Sequence, residues 1–141
     1  MTEESAPAIC IEKHFSASSE RVFDAWFDPE HIASWLFPSE EIVSMEQDPK
    51  VGGTFNFVIR RSGKNIEHSG EYLEISRPNF LTFTWEVPQF SPQSSLVRIT
   101  LEVVHDESKL SLTHDNVLAE YQEATKTGWT RILDNLEKEL T

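Results

Sequence analysis

Six strand-length segments follow one another between Glu41 and His114, each ended by turn residues, and a long amphipathic stretch closes the chain. EIVSME (41–46) stops at Pro49 and Gly52-Gly53, and TFNFVIRR carries Phe55, Phe57 and Ile59 on one face. Ser62-Gly63-Lys64-Asn65 reads as a hairpin turn. Residues 66–76 and 80–87 are the next two strands, turned by Arg77-Pro78-Asn79. In LVRITLEVV, Val97, Ile99, Leu101 and Val103 alternate with Arg98, Thr100 and Glu102, which predicts apolar residues in and polar residues out. His105-Asp106-Glu107-Ser108 turns the chain into KLSLTH, where Leu110, Leu112 and His114 share a side. Strands joined this closely pair antiparallel, and a meander of this kind buries one face only. Something must cover that face.

The C-terminal stretch is the natural cover. Leu118, Tyr121, Thr125, Gly128 or Trp129, Ile132 or Leu133, Leu136 and Leu140 recur at three- and four-residue steps. Glu120, Glu123, Lys126, Arg131, Asp134 and Lys138 fill the other face. The spacing predicts a helix of about 20 residues. Ahead of the meander, residues 8–15 (AICIEKHF) read as a first strand with Ile9 and Ile11 inward and Cys10 outward. Ser18 or Ser19 caps a helix carrying Val22, Phe23, Trp26 and Phe27, and Asp28-Pro29-Glu30 restarts a second carrying Ile32, Trp35 and Leu36. The expected architecture is α+β: a curved antiparallel sheet of six or seven strands wrapped around a long C-terminal helix, with two short helices after the first strand. Residues 8–140 form one domain and residues 1–7 a flexible N-terminus.

Charge narrows the choice of partners. With 12 Lys and Arg against 24 Asp and Glu, the net charge is -12. Nucleic acid binding needs clustered cations, and Arg60-Arg61 is the only adjacent basic pair, so no nucleic-acid partner is expected. No membrane span is expected, because no stretch approaches the roughly 20 apolar residues a span needs. A single cysteine and the absence of a signal-like N-terminus fit a cytoplasmic location.

The motifs of catalysis are sparse. His14, His31, His68, His105 and His114 are scattered without the spacing of a metal site, so no metal is expected. No Gly-x-Ser-x-Gly occurs, and neither a Gly-x-Gly-x-x-Gly nor a phosphate-binding loop, so no cofactor is expected. Cys10 reads as a passive strand residue. His114, sharing a face with Leu110 and Leu112, is either a core histidine or a group pointing at a ligand. Glu74 is either exposed or, through a bulge, inward beside Arg61 or His114. Aromatic residues are the strongest signal. Trp35, Phe37, Phe55, Phe57, Tyr72, Phe83, Trp85 and Trp129 converge on the wedge between sheet and helix, where they either fill the space or line a site.

The ordered strings FDAWFDPEHIASWL, PKVGGTF, GEYLEISRPNFLTFTW, LSLTH and GWTRILDNLEKEL resemble the family named for the activator of the heat-shock chaperone ATPase, within the START-like, birch-pollen-allergen-like superfamily. The resemblance spans residues 8–140 and implies a helix-grip fold. Relatives often carry a second Trp where this chain has Leu36, and a Gly-rich turn where it has DESK (106–109). The family's namesake co-chaperones carry an additional N-terminal domain that these residues do not include. The resemblance implies a small apolar or amphipathic molecule held between sheet and helix, with Trp35, Phe37, Phe55, Phe57, Tyr72, Phe83, Trp85, His114 and Trp129 as its lining and no defined catalysis. Two further readings follow from it: a protein-interaction module regulating a chaperone, or associating with itself, and a cyclase or hydrolase in which His114 faces an inward carboxylate. Residues 86–95 (EVPQFSPQSS) are expected as a rim over the cavity or a dimer contact.

Overall fold

The computed structural model describes residues 9–29, 31–89 and 94–140. The expected frayed terminus at 1–7, the start of the first strand at Ala8, Glu30 of the helix restart and residues 90–93 of the proline-containing loop lie outside the described residues. The strands are β1 (Ile9–Phe15), β2 (Glu41–Gln47), β3 (Thr54–Arg61), β4 (Lys64–Ser76), β5 (Phe80–Trp85), β6 (Ser95–Val104) and β7 (Glu107–Asp115). They form one seven-stranded sheet in the order β1-β7-β6-β5-β4-β3-β2, with the pairings antiparallel throughout. Helices α1 (Ser19–Ala25) and α2 (Ile32–Leu36) follow β1, and α3 (Gln122–Leu140) covers the sheet after a 3-10 turn at Ala119–Tyr121.

Local chemistry explains most element ends. Ser18 caps α1, its Oγ accepting from the Arg21 amide at 3.3 Å. The second helix starts later than the Asp28-Pro29 signal suggests, because Asp28 spends its carbonyl on the amides of His31 and Ile32 and makes a separate turn first. Ser62 and Gly63 both take positive φ, and so do His105 and Asp106, so each hairpin closes with two residues. The four-residue turn expected at 105–108 is therefore shorter, and Glu107 and Ser108 belong to β7.

Burial follows alternation where helices lie over the sheet. Phe55, Phe57, Ile59, Val97, Ile99, Leu101, Leu110 and Leu112 are buried. Val103, expected inward, is 68% exposed. It sits two residues before the β6–β7 hairpin tip, where the sheet extends past its cover. Lys13 breaks the alternation of β1 for a different reason. Its ammonium reaches Asp134 at 2.7 Å and Glu137 at 2.9 Å on α3, fastening the edge strand to the helix. Those hydrogen bonds raise the Lys13 pKa above its ordinary value. Tyr72 and Glu74 flank a register shift in the β4–β5 pairing, and Glu74 lies exposed on the outer side of that bulge. The inward option for this carboxylate is not the one adopted.

Candidate functional site

Ring packing divides the wedge into two parts. Beneath α2, Trp26 meets Trp35 edge-on at 4.8 Å between centroids, and Phe55 packs on Phe57, Tyr72 and Phe83 at 5.0–5.6 Å. This half is filled. The space remaining there is about 20 Å³, close to the room one water needs. Tyr72 is held by the side-chain amide of Gln47, which donates to its oxygen at 2.8 Å, and burial pushes its phenol up to about 12.

The other half is open. A groove of about 570 Å³ runs between α3, the end of α2 and the inner faces of β4 to β7. Phe37, Trp85, His114 and Trp129 line it. Trp35, Phe55, Phe57, Tyr72 and Phe83, the other residues expected to line a site, do not reach this groove. They pack behind it in the core, where Trp35 is 1% exposed. The division has a geometric cause. Phe37 to His68, His68 to Trp85 and Trp85 to Trp129 follow one another at 4.7–5.5 Å, forming a continuous wall of rings between core and groove.

Helix α3 supplies the opposite wall. Its apolar stripe has two edges about one residue apart. Leu133 and Leu136 are buried in the core, and Trp129, also buried, lies where core and groove meet. Thr125, Gly128, Ile132 and Asn135, one step round the helix, face the groove, joined by Tyr121 of the preceding 3-10 turn. At Gly128 a Cβ would meet no atom within 4 Å, so the helix leaves open space on its groove side there. Arg131, expected on the solvent face, borders the groove as well.

His114 is the most constrained polar group of the wall. Trp129 Nε1–H donates to His114 Nδ1 at 3.0 Å, and an indole nitrogen can only donate. Nδ1 must therefore be the acceptor, and Nε2 carries the proton. Nε2–H then donates to Ser95 Oγ at 2.7 Å, whose own hydroxyl donates to the Trp85 carbonyl at 2.7 Å. Burial pushes the imidazole down to about 4, so it is neutral at physiological pH. With both nitrogens occupied, His114 has no free position for proton transfer. The carboxylate on the groove wall, Glu40, is bonded to Arg61 rather than facing the imidazole.

His68 was legible only as one of five scattered histidines, yet it belongs to the wall. Alternation would have found it: Ile66, His68 and Gly70 sit opposite Ile59, Phe57 and Phe55 in β3. Burial, aided by the nearby Arg61 charge, pushes His68 down to about 4, and its Nδ1 lies 3.3 Å from the Phe57 carbonyl. The remaining three histidines lie elsewhere, His14 beside Glu107, His31 beside Asp28 and His105 in the β6–β7 turn. Cys10 is exposed on the outer face of β1. Among the described residues, no group of three His, Cys, Asp or Glu side chains is arranged to hold a metal ion, and no helix is long and apolar enough to cross a membrane.

A seven-stranded antiparallel sheet gripping one long C-terminal helix, with two short helices after the first strand, defines an α+β helix-grip protein of the START-like superfamily. Within it, the chain belongs to the family described as activator of Hsp90 ATPase homolog 1-like protein, whose model matches residues 16–141. Among solved structures it is similar to protein CV1439 from Chromobacterium violaceum, with 26% identity and a TM-score of 0.84 over 94% of this chain and 95% of that one. It is also similar to SA2116 from Staphylococcus aureus, a protein of unknown function, at 20% identity and a TM-score of 0.79, covering 91% and 89% of the two chains. CalU16 from Micromonospora echinospora shares 24% identity with a TM-score of 0.71, covering 94% and 74%. No curated protein matches at a significant level.

Proposed function

We propose that this protein binds a small apolar or amphipathic molecule in the groove between α3 and the sheet, without chemistry on it. The observation that carries the reading is the groove itself. About 570 Å³ beside a close-packed ring core, walled by aromatic and aliphatic side chains, is within the usual range for small-molecule sites. Gly128 supports it. A glycine inside a helix costs about 1 kcal/mol relative to alanine, and here an alanine methyl would meet nothing. The position gives up helix stability and leaves the groove wide.

A catalytic reading draws less support. His114 is saturated by Trp129 and Ser95, and Glu74 is exposed to solvent. The family description favours a second reading, regulation of a chaperone ATPase by protein contact. Stimulation of a purified Hsp90 ATPase by this protein would support that one.

The test is thermal unfolding against fatty acids, sterols, flavonoids and polyketide-like aromatics. A ligand at a hundred times its dissociation constant adds about 2.7 kcal/mol to the folded state. That is several degrees for a domain of this size. The shift is expected to vanish in Gly128→Leu, which fills the groove while leaving the core intact. A broad panel that produces no shift would overturn the reading.

A further inference from the structure

The groove wall can be accounted for charge by charge. Its lining includes Glu40, Arg61, His68, His114 and Arg131, and the other lining residues carry no formal charge. Glu40 and Arg61 cancel each other: Nη2 lies 2.6 Å from Oε2 and Nε 3.4 Å from Oε1, a two-point contact. Burial holds both His114 and His68 neutral, and the Trp129 indole donates to His114 Nδ1. Arg131 is left. Its guanidinium forms no ion pair or hydrogen bond among the described residues. The acid one turn along, Asp134, is engaged by Lys13 at 2.7 Å and makes no ion pair with Arg131. The wall of an apolar groove thus carries one uncompensated positive charge, in a chain whose net charge is -12. Charges elsewhere on the surface are screened beyond about 8 Å at physiological salt, so the local cation decides what a bound molecule meets.

We infer that the groove selects amphipathic monoanions, molecules with an apolar body that lies along the ring wall and a single carboxylate-like end that meets Arg131. This rests on the groove being a ligand site and specifies the class of ligand. A cationic amphipath would face Arg131 without a counter-charge. A neutral one would bind through its body alone. Arg131 is exposed, so its contribution is the modest one of a solvent-screened pair, and it acts on selectivity more than on total affinity.

The test compares matched chains by titration calorimetry at low salt: the saturated fatty acids from eight to sixteen carbons, the corresponding alcohols, and the corresponding alkyltrimethylammonium ions, all below their aggregation limits. Carboxylates are expected to bind about fivefold more tightly than alcohols of equal length, and the ammonium ions no more tightly than the alcohols. In Arg131→Gln the carboxylate advantage is expected to disappear while alcohol affinity and melting temperature stay as in the parent. Equal binding of acids and alcohols by the parent protein would overturn the monoanion class and leave the groove as a ligand site. An advantage that survives Arg131→Gln would overturn the role of Arg131. If no member of any series binds, and the broader panel also fails, the groove reading falls and this inference with it.

Discussion

Trp129 and His114 are joined by a hydrogen bond in which the direction is fixed by chemistry: the indole donates at 3.0 Å and the imidazole Nδ1 accepts. One residue from the long helix thereby sets the tautomer of one residue from the last strand. The same pair lines the groove, and Ser95 continues the chain to the Trp85 carbonyl. At neutral pH, nitrogen NMR should find His114 neutral and protonated on Nε2. Trp129→Phe strands Nδ1 as a buried acceptor, at a cost of about 1–3 kcal/mol in chemical denaturation. A loss below about 0.5 kcal/mol would mean the bond is not made.

Two histidines make stability depend on mild acid. His68 and His114 sit near pKa 4 in the folded protein, against about 6.5 unfolded. Between those values the unfolded chain binds the extra protons, so stability rises with pH across the window and falls as pH drops from about 6.5 to about 4. Below the lower value the loss is complete. Each site can contribute about 3.4 kcal/mol to that loss when the full displacement from about 6.5 to about 4 is expressed. The slope of unfolding free energy against pH should fall by up to about 1.4 kcal/mol per pH unit for each histidine replaced by glutamine. A slope unchanged in both His68→Gln and His114→Gln would remove this account.

Gly128→Ala should stabilise the unliganded protein by about 1 kcal/mol, because α3 gains helix propensity and the new methyl meets nothing. Equilibrium denaturation with urea measures it. Destabilisation would mean that the helix packs closer to the groove wall at this point than the open space indicates.

Gly70 makes the opposite prediction from the same residue type. A Cβ there would overlap the Thr84 carbonyl and the Phe55 ring, so strand β4 approaches β5 only because the side chain is missing. Gly70→Ala should cost about 1–3 kcal/mol, the usual range for overpacking. A melting temperature equal to the parent's would show that β4 can move aside.

Much of the architecture was legible because it rests on periodic patterns. Alternation marked the strands, Ser62-Gly63-Lys64-Asn65 marked a hairpin that the structure tightens to Ser62-Gly63, and the helical stripe of 118–140 announced a cover for one sheet face. These signals are local and repeat along the chain, so they survive without knowledge of neighbours. They erred where the cover ended: Val103 fits the alternation and is exposed, because burial depends on what lies opposite. The site was legible only in its ingredients. The rings were evident, but whether they fill a wedge or wall a groove depends on a remaining volume that no residue carries by itself.

The sequence alone determined the α+β order, the sheet and the covering helix, and it left the orientation of His114 open. Tertiary structure decided that five of the nine expected lining residues pack in the core while Phe37, Trp85, His114 and Trp129 face the groove. It also brought His68 and Arg131 to that wall and bonded Glu40 to Arg61 across 21 residues of chain. The reason is the range of the interactions. Backbone periodicity is set by near neighbours, whereas empty space, charge cancellation and the tautomer of a buried imidazole are set by groups that only folding brings within a few ångströms.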